Sequence, residues 1–179
     1  MAFEITRTYK ERVPALRFIG KRYTDADRGK DGGFGNKWGE WHANGWFSLL
    51  ESLGPSGETE NGYLGLMTIS SDDHSGFAYW IGIFFPPDTD VPDGFDFLDL
   101  PAGEIGISWI RGDDRTGEIF GGEPHTAAYN KLQENGWDRL NENAGGQNTI
   151  VFFERYNCPR YTTRDEEDKV TLDYGFYLA

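Results

Sequence analysis

The residue best placed for chemistry is Glu154, in the run 148–158, NTIVFFERYNC. Strand alternation puts Ile150, Phe152, Glu154 and Tyr156 on one face and Val151 and Phe153 on the other. A carboxylate in line with Phe and Ile is costly unless it is paired or has work to do. Pairing with Lys169 across a hairpin is the plain structural alternative. Asp173 is a second carboxylate on a strand, where a solvated face is the plain alternative. Other chemistries have little support. His42, His74 and His125 lie far apart and lack ligand spacing. His74 follows Asp72-Asp73 in a turn and reads as solvated. The single Cys158 excludes an internal disulfide and a Cys-based zinc site, and no His lies close to it in sequence. No nucleophile elbow, P-loop or dinucleotide fingerprint occurs, and Gly32, Gly33 and Gly35 read as a flexible loop. Neither a metal nor a cofactor is expected.

Composition narrows the function classes. A length of 179 residues fits a single domain, 1–179, able to bury a core without staples. The formal net charge of −13 argues against direct nucleic-acid binding, which needs a basic face. It favours attraction of cationic partners. The first residues lack the basic start and apolar run of a signal peptide, and no apolar stretch reaches membrane-spanning length, so a cytoplasmic setting is expected. Aromatic residues make up 16%, with six Trp, more rings than a small core needs, which suggests that some line a pocket.

The elements that must position Glu154 follow from periodicity and breakers. Residues 3–23 hold two strand-like runs split at Val13-Pro14. Residues 24–35, TDADRGKDGGFG, read as a loop. One helix is predicted from an Asn36 N-cap, through Trp38, Trp41, Trp46 and Leu50, to a stop at Gly54-Pro55. Those tryptophans are expected in the core. A turn-rich loop at 55–62 leads to an antiparallel hairpin, 63–70 and 77–85. After a loop at 86–94, strands at 95–100 and 104–111 flank Pro101, and 112–122 is a second long loop. A second helix is predicted over 124–134, with Pro124 in the first turn, Ala128, Tyr129 and Leu132 inward and an Asn135-Gly136 cap. A closing hairpin pairs 148–156 with 169–178 through a polar loop at 157–168.

The two halves, about 1–87 and 94–179, repeat. Val13-Pro14-Ala15 matches Leu100-Pro101-Ala102, and at the same offset Met67 matches Glu154. Gly82 matches Gly175 through YWIGIFF and LDYGFYL. The expectation is an α+β fold of two β-α-β-β units, packed side by side with pseudo-twofold symmetry. Two helices would cover one face of a shared antiparallel sheet, with a ligand groove on the other. The more uniformly apolar set, Leu64, Leu66, Tyr79, Ile81, Ile83, Val151, Phe153, Leu172, Tyr174 and Phe176, is assigned to the helices. The groove set comprises Met67, Trp80, Phe84, Phe152, Glu154, Tyr156, Asp173 and Tyr177, with Gly82 and Gly175 leaving room above the sheet.

This layout resembles the GyrI-like, or AraC-type, effector-binding domain family, which shares a SOUL-like duplicated fold. The residues that carry the resemblance are KERVPALRFIGKRY, Trp38, AYWIGIFF, the Leu100-Pro101-Ala102-Gly103 turn, NGW after the second helix, and FFERY. It spans nearly the whole chain, without a DNA-binding helix-turn-helix. It implies a stand-alone small-molecule binding module in which Glu154 attracts aromatic or lipophilic cations and rings such as Trp80, Tyr156 and Tyr177 form walls. The long loops 24–35 and 112–122 depart from the pattern. Two alternatives come with the resemblance. One is a hydrolase of reactive small-ring compounds, with Glu154 as general acid or base beside Tyr156. The other is an acidic protein-interaction module such as a topoisomerase inhibitor, which would have a protein partner.

Overall fold

The computed structural model describes residues 2–55, 62–156 and 158–179. Strands β1 (Glu4–Val13) and β2 (Leu16–Tyr23) part at Pro14, which has no N–H to give a ladder. Helices α1 (Gly35–Ala43) and α2 (Trp46–Glu51) precede the hairpin β3 (Tyr63–Ser70) and β4 (Ala78–Phe85). The second half repeats this order with β5 (Asp96–Leu100), β6 (Gly103–Gly112), α3 (Gly122–Glu134), β7 (Thr149–Tyr156) and β8 (Val170–Leu178). A short helix, α4 (Pro159–Thr162), lies between the last two strands, where the sequence predicted only a polar loop. Most of the turn-rich loop expected at 55–62 lies outside the described residues, as does Asn157.

The fold is α+β, with one antiparallel eight-stranded sheet in the order β1-β6-β8-β7-β3-β4-β2-β5. That order reads the same from both ends by structural role, with the pseudo-twofold at the β7–β3 contact. The halves interlock rather than sit side by side. The first strand of each crosses over, β1 to β6 and β5 to β2.

Both faces of the sheet are buried. On one face α1 and α2 cover Ile81, Ile83 and Phe85, and α3 covers Leu172, Tyr174 and Phe176. The opposite face packs Phe18, Leu64, Leu66, Phe84, Ile105 and Phe153 against one another, with Ala144 added from the 137–148 segment. Because both faces are apolar, alternation does not say which set meets the helices. The register does. β3 pairs with β4 so that Leu64 meets Gly82 and Leu66 meets Trp80, and β7 pairs with β8 so that Phe153 meets Gly175. Cross-strand partners share a face. Leu64, Leu66, Val151 and Phe153 therefore lie with Trp80, Phe84 and Tyr177, away from the helices. Met67, Phe152, Glu154 and Tyr156 lie with Tyr79 and Tyr174, on the helix side. The sequence assignment slipped by one residue within each hairpin, which moved half of each set to the wrong face.

The first helix also differs from the expectation. It breaks at Asn44-Gly45, where Gly45 takes a left-handed φ of 66° as the N-cap of α2. Phe34, not Asn36, caps α1, and the Asn36 amide donates to the Asp27 carbonyl. The α3 terminus follows the predicted pattern. Gly136 is left-handed and Trp137 N–H donates to Leu132 O at 2.8 Å.

Gly175 does not leave room above the sheet. A Cβ built there would meet the tip of the Phe153 ring, so the glycine is filled by its cross-strand neighbour. Gly175→Ala should therefore overpack the core and lower stability by about 1–3 kcal/mol. A fall in the urea midpoint at unchanged m-value would show it, and an unchanged midpoint would contradict this packing.

Candidate functional site

A cavity of about 1030 Å³ opens on the helix face, between α1 and α3. Its floor is the β3–β7 pair at the centre of the sheet, carrying Met67, Phe152, Glu154 and Tyr156. Helix α1 contributes Gly35, Trp38 and His42, and α3 contributes Gly122, His125 and Thr126. The two long loops, 24–35 and 112–122, form rims, one through Arg28 and residues 31–34 and the other through Phe120 and Gly121. Tyr161 and Thr162 of α4 complete the lining.

Glu154 is 6% exposed and is held by two donors. His125 Nε2 lies 3.2 Å from Oε1, and the Tyr156 hydroxyl donates to Oε2. With the carboxylate as acceptor, Nε2 carries the proton, and His125 Nδ1 is buried without a hydrogen-bond partner among the described residues. Across the hairpin Glu154 pairs with Tyr174, not Lys169, so the plain ion-pair alternative does not describe it. Tyr79 lies close enough for the Glu154 charge to act on its phenol, and Trp38 Nε1–H donates to the Tyr79 hydroxyl at 3.0 Å. Gly65, the cross-strand partner of Glu154, makes the room. A Cβ there would collide with the Tyr79 hydroxyl.

The rings form a continuous wall. Phe34 stacks on Tyr79 with centroids 4.4 Å apart, and the Arg28 guanidinium lies 4.7 Å over Phe34. Tyr156 meets Trp38 at 4.8 Å and Tyr161 at 5.0 Å, both edge-on. His125 stands edge-on to Tyr174 at 4.2 Å. Aromatic rings carry a negative face and a positive edge, so the wall presents oriented quadrupoles to the cavity.

Four of the residues proposed from sequence are thus together in the cavity: Glu154, Phe152, Tyr156 and Met67. The other four are elsewhere, for the register reason above. Trp80 is buried on the opposite face and donates to Thr68 Oγ1 at 3.1 Å. Phe84 packs edge-on to Phe18 and Phe153 in that same core. Tyr177 joins them. Asp173 is fully buried in an ion pair with Arg155, not on a solvated face. The reading missed Trp38, Tyr79 and His125. His125 had a signal, because it precedes the inward Ala128 and Leu132 at helical spacing on α3. Among the described residues no group of three or more His, Cys, Asp or Glu side chains is arranged to hold a metal ion. Among the described residues no helix is long and apolar enough to cross a membrane.

No protein-family profile matches the chain, and neither does any curated protein. Solved structures do. SAV2435 bound to tetraphenylphosphonium aligns with a TM-score of 0.65 at 15% identity, over 97% of this chain and 94% of that one. A Staphylococcus aureus MU50 protein described as a candidate bacterial transcription regulation protein aligns at 0.62 and 14%, over 96% and 97%. The integron cassette protein VCH_CASS2 from the mobile metagenome of Vibrio cholerae aligns at 0.51 and 14%, over the full length of both chains. At these identities the likeness is one of fold.

Burial, then the nearby Glu154 charge, pushes the Tyr79 and Tyr156 phenols well above their usual value of 10. Burial raises Tyr161 and Tyr63 to about 12. A phenol whose folded pKa is raised stabilises the fold fully below the unfolded value and loses that contribution as pH rises through the folded value. Absorbance titration should therefore show Tyr63 and Tyr161 ionising near 12, and Tyr79 and Tyr156 ionising only as the protein unfolds. Ionisation of all nine tyrosines near pH 10 in a folded protein would contradict this environment.

Proposed function

We propose that this protein binds a lipophilic aromatic cation between α1 and α3, as an effector-binding module of the GyrI-like kind. One observation carries the reading: a buried carboxylate, Glu154, at the floor of a large cavity walled by rings. The protein's own donors hold the carboxylate, and the volume above it is open to a ligand. Phe152, Tyr156 and Met67 would contact the ligand with Glu154, joined by Trp38, Tyr79 and His125. The fold shared with SAV2435, which is bound to tetraphenylphosphonium, supports the ligand class. The negative net charge would raise the local concentration of cations. An open cavity favours a small-molecule ligand over the topoisomerase-inhibitor alternative, for which a groove filled by its own side chains would suit better.

The test compares a cation with a neutral molecule of similar shape. Quenching of tryptophan fluorescence reports binding, because Trp38 is in the wall. Glu154→Gln should weaken tetraphenylphosphonium at least about tenfold, or ~1.4 kcal/mol. It should leave neutral triphenylphosphine oxide within about twofold, since ring contacts and burial are unchanged. Equal losses for both probes, or none, would overturn the charge assignment.

The hydrogen-bonded trio His125, Glu154 and Tyr156 gives the hydrolase alternative a concrete form. In it Glu154 would activate water, with Tyr156 supplying a proton to the leaving atom. Turnover of a strained-ring electrophile that vanishes in both Glu154→Gln and Tyr156→Phe would select this reading. Saturable binding with no product would reject it.

A further inference from the structure

We propose that Arg160, locked to Asp173 on the far face of the sheet, is a positioning residue that fixes α4 and so sets the width of the cavity at Tyr161. The inference rests on the binding reading of that cavity. Its argument starts from the helix itself. Helix α4 has four residues, too few to hold its shape unaided. Yet Tyr161 of this single turn forms part of the cavity wall, edge-on to the Tyr156 ring whose hydroxyl holds Glu154. Something outside α4 must hold it.

The anchor is a buried charge cluster. Arg160 Nε donates to Asp173 Oδ1 at 2.6 Å, and Arg160 Nη2 donates to Oδ2. Arg155 shares the same carboxylate, with Nε donating to Oδ2 at 2.9 Å. Asp173 and the Arg155 side chain are fully buried, and Glu11 Oε2 lies 3.7 Å from Arg155 Nη1. Two guanidinium groups thus face two carboxylates. The Arg160 guanidinium also lies 4.7 Å over the Trp109 ring. A bidentate guanidinium–carboxylate pair, here between the partly buried Arg160 and the fully buried Asp173, fixes geometry as well as adding energy. Its reach is across the sheet. Helix α4 sends Arg160 to the far face and Tyr161 and Thr162 to the cavity face. Arg155 likewise sits on β7 between Glu154 and Tyr156. One cluster therefore pins both the strand that carries the carboxylate and the turn that closes over it.

The repeat shows that the cluster is an addition to the fold. In the first hairpin the cross-strand pairs at these positions, Leu66–Trp80 by the Gly82–Gly175 match and Thr68–Ala78 by the offset that relates Met67 to Glu154, carry no charge, where the second hairpin has Arg155–Asp173. The scaffold stands on that side without a clamp. The half that carries Glu154 carries the clamp.

Arg160→Met is the informative variant. It keeps a stem over Trp109 and leaves Asp173 paired with Arg155, so no buried carboxylate is stranded. Two readouts follow. The single Cys158 is buried at the start of α4, so its labelling by a thiol reagent reports loosening of the turn without any ligand. The labelling rate should rise at least about tenfold, and more than any loss of global stability measured by urea predicts. The preference for tetraphenylphosphonium over the smaller methyltriphenylphosphonium should fall at least about fivefold, because a loosened wall no longer grips the fourth ring. Arg160→Lys, which keeps the charge and loses the fork, should fall between. An unchanged labelling rate, a rise that only tracks global unfolding, or an unchanged preference would overturn the proposal. If the parent protein binds neither cation, the binding reading fails, and the labelling rate alone decides whether Arg160 positions α4.

Discussion

The centre of this molecule depends on one register, the pairing of β3 with β7 that sets Gly65 against Glu154 and Met67 against Phe152. Strands alternate, so the pairings of β4 with β3 and of β8 with β7 then decide which of their residues share that face. They bring Tyr79 and Tyr174 to the side of Glu154 and send Trp80 and Asp173 away. The glycine at 65 is part of the same constraint. With no side chain there, the Tyr79 phenol can lie over the strand beside the carboxylate, where any Cβ would push it out. Slipping the pairing by one residue would place Arg155 in the cavity and bury Glu154 in the Phe18–Phe84–Phe153 core. Both outcomes leave a charge in an apolar setting without its partner.

On this frame the two halves supply the same positions with different chemistry. The offset that relates Met67 to Glu154 also relates Gly35 to Gly122, where α1 and α3 begin, and Trp38 to His125, one turn on. Each of the last two turns a ring N–H toward the floor. Trp38 donates to the Tyr79 hydroxyl and His125 approaches Glu154. The helix geometry is thus reused, and the acceptor changes from a phenol to a carboxylate. The far face shows the same division, with uncharged cross-strand pairs in the first hairpin and an Arg–Asp pair in the second. Symmetry builds the cavity, and departures from symmetry give it a charged end.

How much of this could be read in the chain follows from what each signal measures. Pro14 and Pro101 mark the strand breaks, and Asn135-Gly136 marks the end of α3, because these residues restrict the backbone directly. The duplication and the isolation of Glu154 on β7 were legible for the same local reason. The face of each strand was not. Every residue of β4, Ala78–Phe85, is buried, so its pattern has no polar side to orient it, and the turn that sets register lies outside the run. The groove consequently went to the wrong face, carrying Trp80, Phe84, Asp173 and Tyr177 with it. Gly45 is a conformational signal of the αL kind that was available for the break between α1 and α2 and was outweighed by helical spacing. Arg160 sits in a stretch with no periodicity, and its partner lies on another strand, so no local pattern reveals the clamp.

Glu154 and Asp173 are two buried carboxylates that are satisfied in different ways. A lysine partner would have met its hydrogen-bonding needs and cancelled its charge at once. Tyr156 meets the need without a charge, because burial and the carboxylate itself keep its phenol protonated far above neutrality. His125 Nε2 approaches the other oxygen, so both oxygens are held in place. Burying a carboxylate here is costly, and its hydrogen-bond donors offset part of the desolvation. Compare Asp173 on β8, the strand next to β7, on the far face, where guanidinium groups close on both oxygens. The same half of the molecule therefore holds two buried acids treated in opposite ways. One is closed in by guanidinium groups on the far face. The other is held by a tyrosine and a histidine at the cavity floor.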